Sequence, residues 1–233
     1  DALERIDTPG GQEYFEDNIL GALTDRDRFT YYYRRYQEGI RDPELIAPLF
    51  DLAYTLSEDE VVAELKPILL AMDPSLEVIR SLILVSGDDN EKLALLDRAL
   101  EQVEVAVDRV LLLYEKARLL YTTDQLSDAR NVANEVLEID ENHGRSLVLI
   151  GDTWAALAST GSIQARAPAW VAVDYYNRAA SLDEGVAVLA QQRASDYRRY
   201  FPCREEVFFD PNVSEGGGYT VRGVRTTVRV RGC

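Results

Sequence analysis

The residue types that most often do chemistry are sparse in this chain. Its 233 residues include one histidine, His143, and two cysteines, Cys203 and Cys233. A catalytic nucleophile–base pair would need a serine or a cysteine beside that histidine, and no sequence motif indicates one. The three glycines at 216–218 join predicted strands instead of preceding a helix, so they are not a phosphate-binding loop. We therefore expect a protein with no enzymatic activity, no cofactor and no metal site.

The two cysteines favour a covalent role of a different kind. Neither Cys203 nor Cys233 has the spacing of a zinc site or a redox motif. We predict that they are oxidised, either with each other or across a subunit boundary, and two unpaired thiols are the alternative. Because disulfides persist in oxidising compartments, this prediction places the protein outside the cell or in the periplasm, with the cytoplasm as the alternative. Asn212-Val213-Ser214 also fits the acceptor pattern for N-glycosylation at Asn212.

Charge is distributed unevenly along the chain. The formal net charge is −16, which argues against nucleic acid as a partner. Residues 214–233 nevertheless contain four arginines and only one glutamate, so a basic tail follows an acidic body. No run of about 18 apolar residues occurs, and we therefore predict no membrane span.

The clearest structural pattern lies between Val110 and His143, where apolar residues recur at helical spacing in two stripes. A polar break at 122–125 separates the stripes and predicts two antiparallel helices joined by a short turn. Small side chains at Ala117 and Ala129 would let these helices approach closely. In length, and in its bulky residue at Leu113 and those two alanines, the segment resembles the tetratricopeptide repeat (TPR), although the first-helix Trp and Gly and the final Pro of that repeat are missing.

Similar pairs recur along the rest of the chain, with starts near residues 12, 43, 73, 110 and 144. The fold class that we predict is mainly α: a right-handed TPR-like helical solenoid over residues 1–200, with a small β appendage at 201–233. Besides the pair described above and the pair that follows it, the predicted helices cover residues 12–23, 25–39, 44–56, 59–72, 75–85, 91–103 and 184–200.

Beyond residue 200 the apolar period changes from that of a helix to that of a strand. The predicted strands cover residues 206–209, 218–222 and 224–231. The last of them alternates between an apolar face and an arginine-bearing face. Residues 200–231 resemble the tail of a group of exported bacterial TPR proteins, a resemblance that implies export and no enzymatic activity.

Two functions follow from these features. The first is a structural protein that binds other copies of itself and forms a homo-oligomer or filament. A tyrosine-rich helix and the basic tail would form its contacts. Packing on two sides by neighbouring helices would explain the tyrosines equally well. The candidate contact residues are Tyr31, Tyr32, Tyr33, Tyr36, Val224, Arg225, Val228, Arg229, Val230 and Arg231.

The alternative function is a monomeric adaptor that binds a peptide or protein segment in the groove of its repeats. TPR grooves bind through residues of the first helix of each pair, and the matching positions here are Tyr114, Arg118, Tyr121, Val148 and Asp152. The Lys and Asn positions that grip chaperone C-termini are absent from this set, so we do not expect a heat-shock co-chaperone.

Overall fold

The computed structural model describes residues 19–72 and 74–233, which fall into two compact units that divide between Ala99 and Leu100. A short 3-10 turn, Leu20–Ala22, precedes the first described helix. In chain order the helices are α1 Asp25–Gln37, α2 Pro43–Thr55, α3 Asp59–Ala71, α4 Leu76–Val85, α5 Asp89–Gln102, α6 Ala106–Thr122, α7 Leu126–Ile139, α8 Gly144–Ala155, α9 Ile163–Arg166, α10 Pro168–Leu182, α11 Glu184–Tyr197 and α12 Arg204–Phe209. Two strands close the chain, β1 Gly218–Val221 and β2 Val224–Thr227.

The first unit is built from helices that pack in sequence order, with α2 in contact with α1, α3 and α4. Thr24 caps α1 through its side chain, and Pro43 opens α2, where its fixed φ suits the first helical turn. The fully buried core includes Phe50, Leu65 and Ile79. Most of the predicted helix 12–23 lies outside the described residues, as does Asp73.

The second unit repeats the pairing that the apolar stripes predict. Helix α6 packs on α7, α8 packs on α10, and α10 packs on α11. Ala117 and Ala129 are completely buried, as expected for small residues where α6 and α7 cross. Gly151 has the same role between α8 and α10, because a Cβ atom there would lie 2.5 Å from Cε1 of Tyr176. The mainly helical fold with TPR-like pairs is therefore confirmed.

The tail is a two-stranded hairpin, not three strands. β1 and β2 are antiparallel, with Tyr219 opposite Thr226 and Val221 opposite Val224. Arg222 and Gly223 form the two-residue turn, and both have positive φ (45° and 87°), as a type I′ turn requires. The alternation of burial extends to Val228, which is buried.

Two of the predicted strands are wrong in type or length. Residues 206–209 belong to helix α12, because the Glu206 side chain accepts a hydrogen bond from the Cys203 N–H (2.6 Å) and closes a capping box. The strand predicted for 224–231 ends at Thr227. Beyond it the carbonyl of Arg229 accepts a hydrogen bond from Trp170 Nε1 (2.9 Å), and the Arg231 N–H donates to the carbonyl of Pro202 (2.9 Å).

The hairpin packs on α10 of the same chain. The Thr226 hydroxyl donates to an Asp174 carboxylate oxygen (2.6 Å), and the Arg229 guanidinium pairs with the other oxygen. The rings of Trp170 and Tyr219 meet edge to face at 5.4 Å. The arginine-bearing end of the tail thus meets a carboxylate and backbone carbonyls of its own chain.

Candidate functional site

The predicted groove residues lie in the second unit, where helix α8 contacts both α6 and α11. Tyr121 of α6 interacts electrostatically with Asp152 of α8 and with Arg193 and Tyr197 of α11. These side chains therefore share one surface. We call the surface formed by Tyr114, Arg118, Tyr121, Arg193 and Tyr197 the Tyr–Arg face.

Asp152 forms the floor of the Tyr–Arg face. It is 8% exposed, accepts a hydrogen bond from the Tyr176 hydroxyl (2.7 Å) and pairs with the Arg193 guanidinium. Burial raises the pKa of Asp152 above its usual range, against the opposing effect of these two donors. Burial, together with the neighbouring carboxylate, also raises the pKa of Tyr176, which therefore keeps its proton. The charge of Asp152 is thus matched within the protein, and Arg193 remains partly exposed above it.

Tyrosine rings form the walls of this face. Tyr197 lies 6.1 Å from Tyr176 and stacks on Tyr200 at 5.7 Å, measured between ring centroids. Burial raises the pKa of both Tyr121 and Tyr197, so that both present neutral hydroxyl groups. Such a surface offers apolar ring faces and hydrogen-bond donors together, the combination that interface hot spots favour.

The outcome for the five predicted groove residues is mixed. Tyr114 and Tyr121 are half-buried, and Arg118 is exposed and pairs with Glu115 at 3.0 Å. Val148 is buried, so it contributes to the core instead of to an open wall. The sequence interpretation missed Tyr176, Arg193 and Tyr197. Arg193 and Tyr197 stand four residues apart on α11, and this one-face spacing is the signal that could have identified them.

His143 has a structural role at the start of α8. Its Nδ1 accepts a hydrogen bond from the Ser146 N–H (3.3 Å) and lies 2.9 Å from the Ser146 hydroxyl. Burial lowers the pKa of His143, and its ring packs edge to face against Tyr114 at 5.3 Å. Ser146 is completely buried, so a substrate could not reach its hydroxyl. Within the described residues no group of three or more His, Cys, Asp or Glu side chains could hold a metal ion.

The tyrosine-rich helix α1 buries some of its aromatic side chains in the first unit. Tyr31 and Tyr36 are buried, and the Tyr36 hydroxyl donates to a Glu64 carboxylate oxygen (2.7 Å). Tyr32 and Tyr33 are half-buried, and Tyr33 stacks on Phe29 at 5.5 Å. Packing on two sides therefore explains two of the four tyrosines, and Tyr32 and Tyr33 remain the accessible ones.

The two cysteines, which stand at the start and at the end of the tail, lie close together. Both thiols are free, and a hydrogen bond with Cys233 raises the pKa of Cys203. The parallel bridge between Cys203 and Arg231 is what brings the chain end to this position. Oxidation of the pair remains a prediction, as does modification of the exposed Asn212, whose amide donates to Asp210 (3.2 Å).

Within residues 19–72 and 74–233, no helix is both long enough and apolar enough to cross a membrane.

Comparison with known proteins shows the fold and no more. No protein-family model matches the sequence, and no curated protein matches it. Two solved structures, titled "Crystal structure of MamA" and "Crystal structure of MamA protein", resemble this chain at TM-scores of 0.51 and 0.52, each with 13% sequence identity. The first likeness covers 77% of this chain and 97% of that one, and the second covers 80% and 93%. The chain therefore has a TPR-like helical-repeat fold similar to that of MamA.

Proposed function

We propose that this chain is a non-enzymatic scaffold that binds a segment of another protein on the Tyr–Arg face of its second unit. The observation that carries this proposal is the convergence of Tyr121, Arg193 and Tyr197 above the buried Asp152. Helices α6 and α11 supply the residues of this face, so an extended segment could contact both helices in succession.

The composition of the face supports a protein ligand. Tyrosine and arginine are the residues most enriched among interface hot spots, since each combines a large contact area with directional hydrogen bonds. Because the Asp152 carboxylate already has two donors, it holds Arg193 in place and is not itself poised for proton transfer. Arg118, with 60% of its side chain exposed, adds a donor at the rim.

The proposal is tested by selecting 12-residue peptides from a random display library on the purified protein. Binding of the selected peptides is then measured on Tyr121→Ala, Arg118→Ala and Tyr197→Ala variants by fluorescence anisotropy. Loss of a tyrosine hot spot should weaken binding roughly 30-fold, equivalent to about 2 kcal/mol. Arg118→Ala should weaken binding without affecting the fold, because this side chain is exposed.

A matched control is Glu138→Ala, which changes an exposed residue on α7, outside the Tyr–Arg face. This variant should bind the selected peptides as the unaltered protein does. Peptides that bind all the variants equally well would show that the Tyr–Arg face is not the binding surface.

A second candidate function, self-association, is favoured by a separate observation. Phe208 and Phe209 at the end of α12 are 81% and 80% exposed, and their rings meet edge to face at 5.3 Å. Large exposed aromatic pairs mark interaction surfaces more often than single apolar residues do. The tail arginines are a weaker basis for this function, because Arg229 and Arg231 have partners in their own chain.

Light scattering after size-exclusion chromatography tests self-association directly. If the aromatic pair is a contact, the mass should exceed the 26.2 kDa of one chain and return to it in a Phe208→Ser, Phe209→Ser double variant. Val188→Ser is the control, since Val188 is equally exposed on α11. A particle of one chain at high concentration would remove this candidate. Export of the protein to an oxidising compartment remains part of the proposal and depends on the state of its two cysteines.

A further inference from the structure

A cleft lies between helix α7 and the turn of the tail hairpin, and no residue of the Tyr–Arg face is among the residues that line it. Its volume is about 410 Å³. Ser127, Arg130, Asn131 and Asn134 line one side of it, and their spacing places all four on one face of α7. Arg222 lines the opposite side, and Trp154 contributes to the wall. We call this the Arg130–Arg222 cleft.

The Arg130 guanidinium packs on an aromatic ring and lacks one hydrogen bond within the described part of the chain. Its guanidinium lies over the Trp154 ring, 4.6 Å from the centroid, and its Nη1 atom is buried with no hydrogen-bond partner among the described residues. A buried donor without a partner is destabilising unless a ligand satisfies it. Burial lowers the pKa of Arg130, and the like charge of Arg222 lowers it further.

The hairpin fixes the position of Arg222. This residue occupies the first central position of the turn with φ of 45°, a conformation that an arginine adopts at some cost. The contacts of Tyr219 with Trp170 and of Thr226 with Asp174 hold the hairpin on α10, and its turn lines the cleft together with residues of α7 and α8. Two cations are therefore kept close together although each disfavours the other.

The chain has 41 acidic residues, yet none of them is among the described residues that line this cleft, so no carboxylate of that set balances these charges. The side-chain amides of Asn131 and Asn134 add further hydrogen-bond donors on the same wall. A half-buried guanidinium with one unbonded nitrogen, a second arginine and two amides together form a site for an oxyanion.

We propose that the Arg130–Arg222 cleft binds a carboxylate of an acidic protein segment. The planar guanidinium donates two parallel hydrogen bonds to a carboxylate, and Trp154 and Val224 provide an apolar wall for the methylene groups of a glutamate. This site is independent of the Tyr–Arg face, so a scaffold could engage one ligand at each. A free phosphate has the same oxyanion chemistry, and the experiment distinguishes the two sources.

The probe is a fluorescein-labelled hexaglutamate peptide with blocked ends, and its binding is measured by anisotropy at low ionic strength. Arg130→Gln and Arg222→Asn should each weaken binding about tenfold, or 1.4 kcal/mol. Arg222→Asn is chosen because asparagine tolerates positive φ, so the turn is retained while the charge is lost. Hexaglutamine should not bind at all.

Two matched variants control for unspecific attraction. Arg225→Gln removes an exposed charge from the same hairpin outside the cleft, and Arg145→Gln removes an exposed charge from α8, also outside the cleft. Both should bind hexaglutamate as the unaltered protein does. Equal weakening by Arg225→Gln and Arg222→Asn, or no binding of hexaglutamate at 1 mM, would overturn the proposal. Binding of inorganic phosphate that depends on Arg130, without binding of the peptide, would also overturn it and assign the cleft to a small oxyanion.

Discussion

The close approach of α8 and α10 at Gly151 gives the sharpest test of how the second unit is packed. In Gly151→Ala the added Cβ would lie 2.5 Å from Cε1 and 2.8 Å from Cδ1 of Tyr176. Carbon atoms in contact prefer about 3.5–4.0 Å, so the ring would have to move by about 1 Å. The Tyr176 ring is completely buried, and its hydroxyl is bound to Asp152, so it has little room to do so.

The expected magnitude combines three effects. Overpacking of this kind costs about 1–3 kcal/mol, and disturbing the Tyr176–Asp152 hydrogen bond adds about 1 kcal/mol. Alanine in place of a helical glycine returns about 1 kcal/mol through helix propensity. We therefore expect Gly151→Ala to lower the free energy of unfolding by about 1–3 kcal/mol, and Tm by roughly 2–10 °C.

The assay is thermal and urea unfolding followed by circular dichroism. Gly87→Ala is the control, because no atom lies within 4 Å of a Cβ built there, and it should leave stability unchanged or raise it slightly. In a double-mutant cycle, Tyr176→Leu should make Gly151→Ala less costly, since the smaller side chain removes the clash. A Gly151→Ala protein at least as stable as the unaltered one would refute the close packing described here.

Three further predictions concern charge and redox state. First, the folded-state pKa of Asp152 is raised, so its ionised form weakens the fold. The stability of the unaltered protein relative to Asp152→Asn should therefore rise as the pH falls through that pKa toward 3.8. Urea unfolding at a series of pH values measures this difference. Second, Arg166 and the Cys203 N–H lower the pKa of Glu206 to about 2. Ionised Glu206 should therefore stabilise the fold by about 1 kcal/mol, because it is half-exposed, and this stabilisation should be present above pH 4.5 and lost as the pH falls toward 2. An identical pH profile of stability in Glu206→Gln would contradict this. Third, alkylation and mass spectrometry of native material should find Cys203 and Cys233 joined, and reduction should cost about 3–4 kcal/mol for the loop of roughly 30 residues; two alkylated thiols would argue against export.

Several predictions from local pattern agree with the structure because local physics controls them. The polar break at 122–125 predicts that a second helix begins after it, and α7 begins at Leu126. The predicted start near residue 43 agrees with α2, in which Pro43 occupies the first helical turn, where its fixed φ and missing N–H are tolerated. The wrong prediction at 206–209 has an equally local cause: Val207, Phe208 and Phe209 favour strands, but the side chain of Glu206 caps the turn and makes it helical.

The candidate sites depend on contacts that no local pattern reveals. Tyr121, Asp152 and Arg193 belong to three helices, so their shared surface exists only once α6, α8 and α11 pack together. The sequence likewise does not predict which surface the tail contacts, because an alternating strand can pack on the helices of its own chain or on those of another subunit.

The sequence by itself determined the helical pairs, their order and the presence of a basic tail, because apolar periodicity, capping residues and small crossing residues act within a few positions of the chain. Only the tertiary structure decided which charges meet. Asp174 pairs with Arg229 across 55 positions of sequence, whereas Arg130 and Arg222 come together with no carboxylate among the described residues that line their cleft. Electrostatic pairing depends on distance in space and on burial, and neither is encoded in residue spacing once helices from different parts of the chain pack against one another.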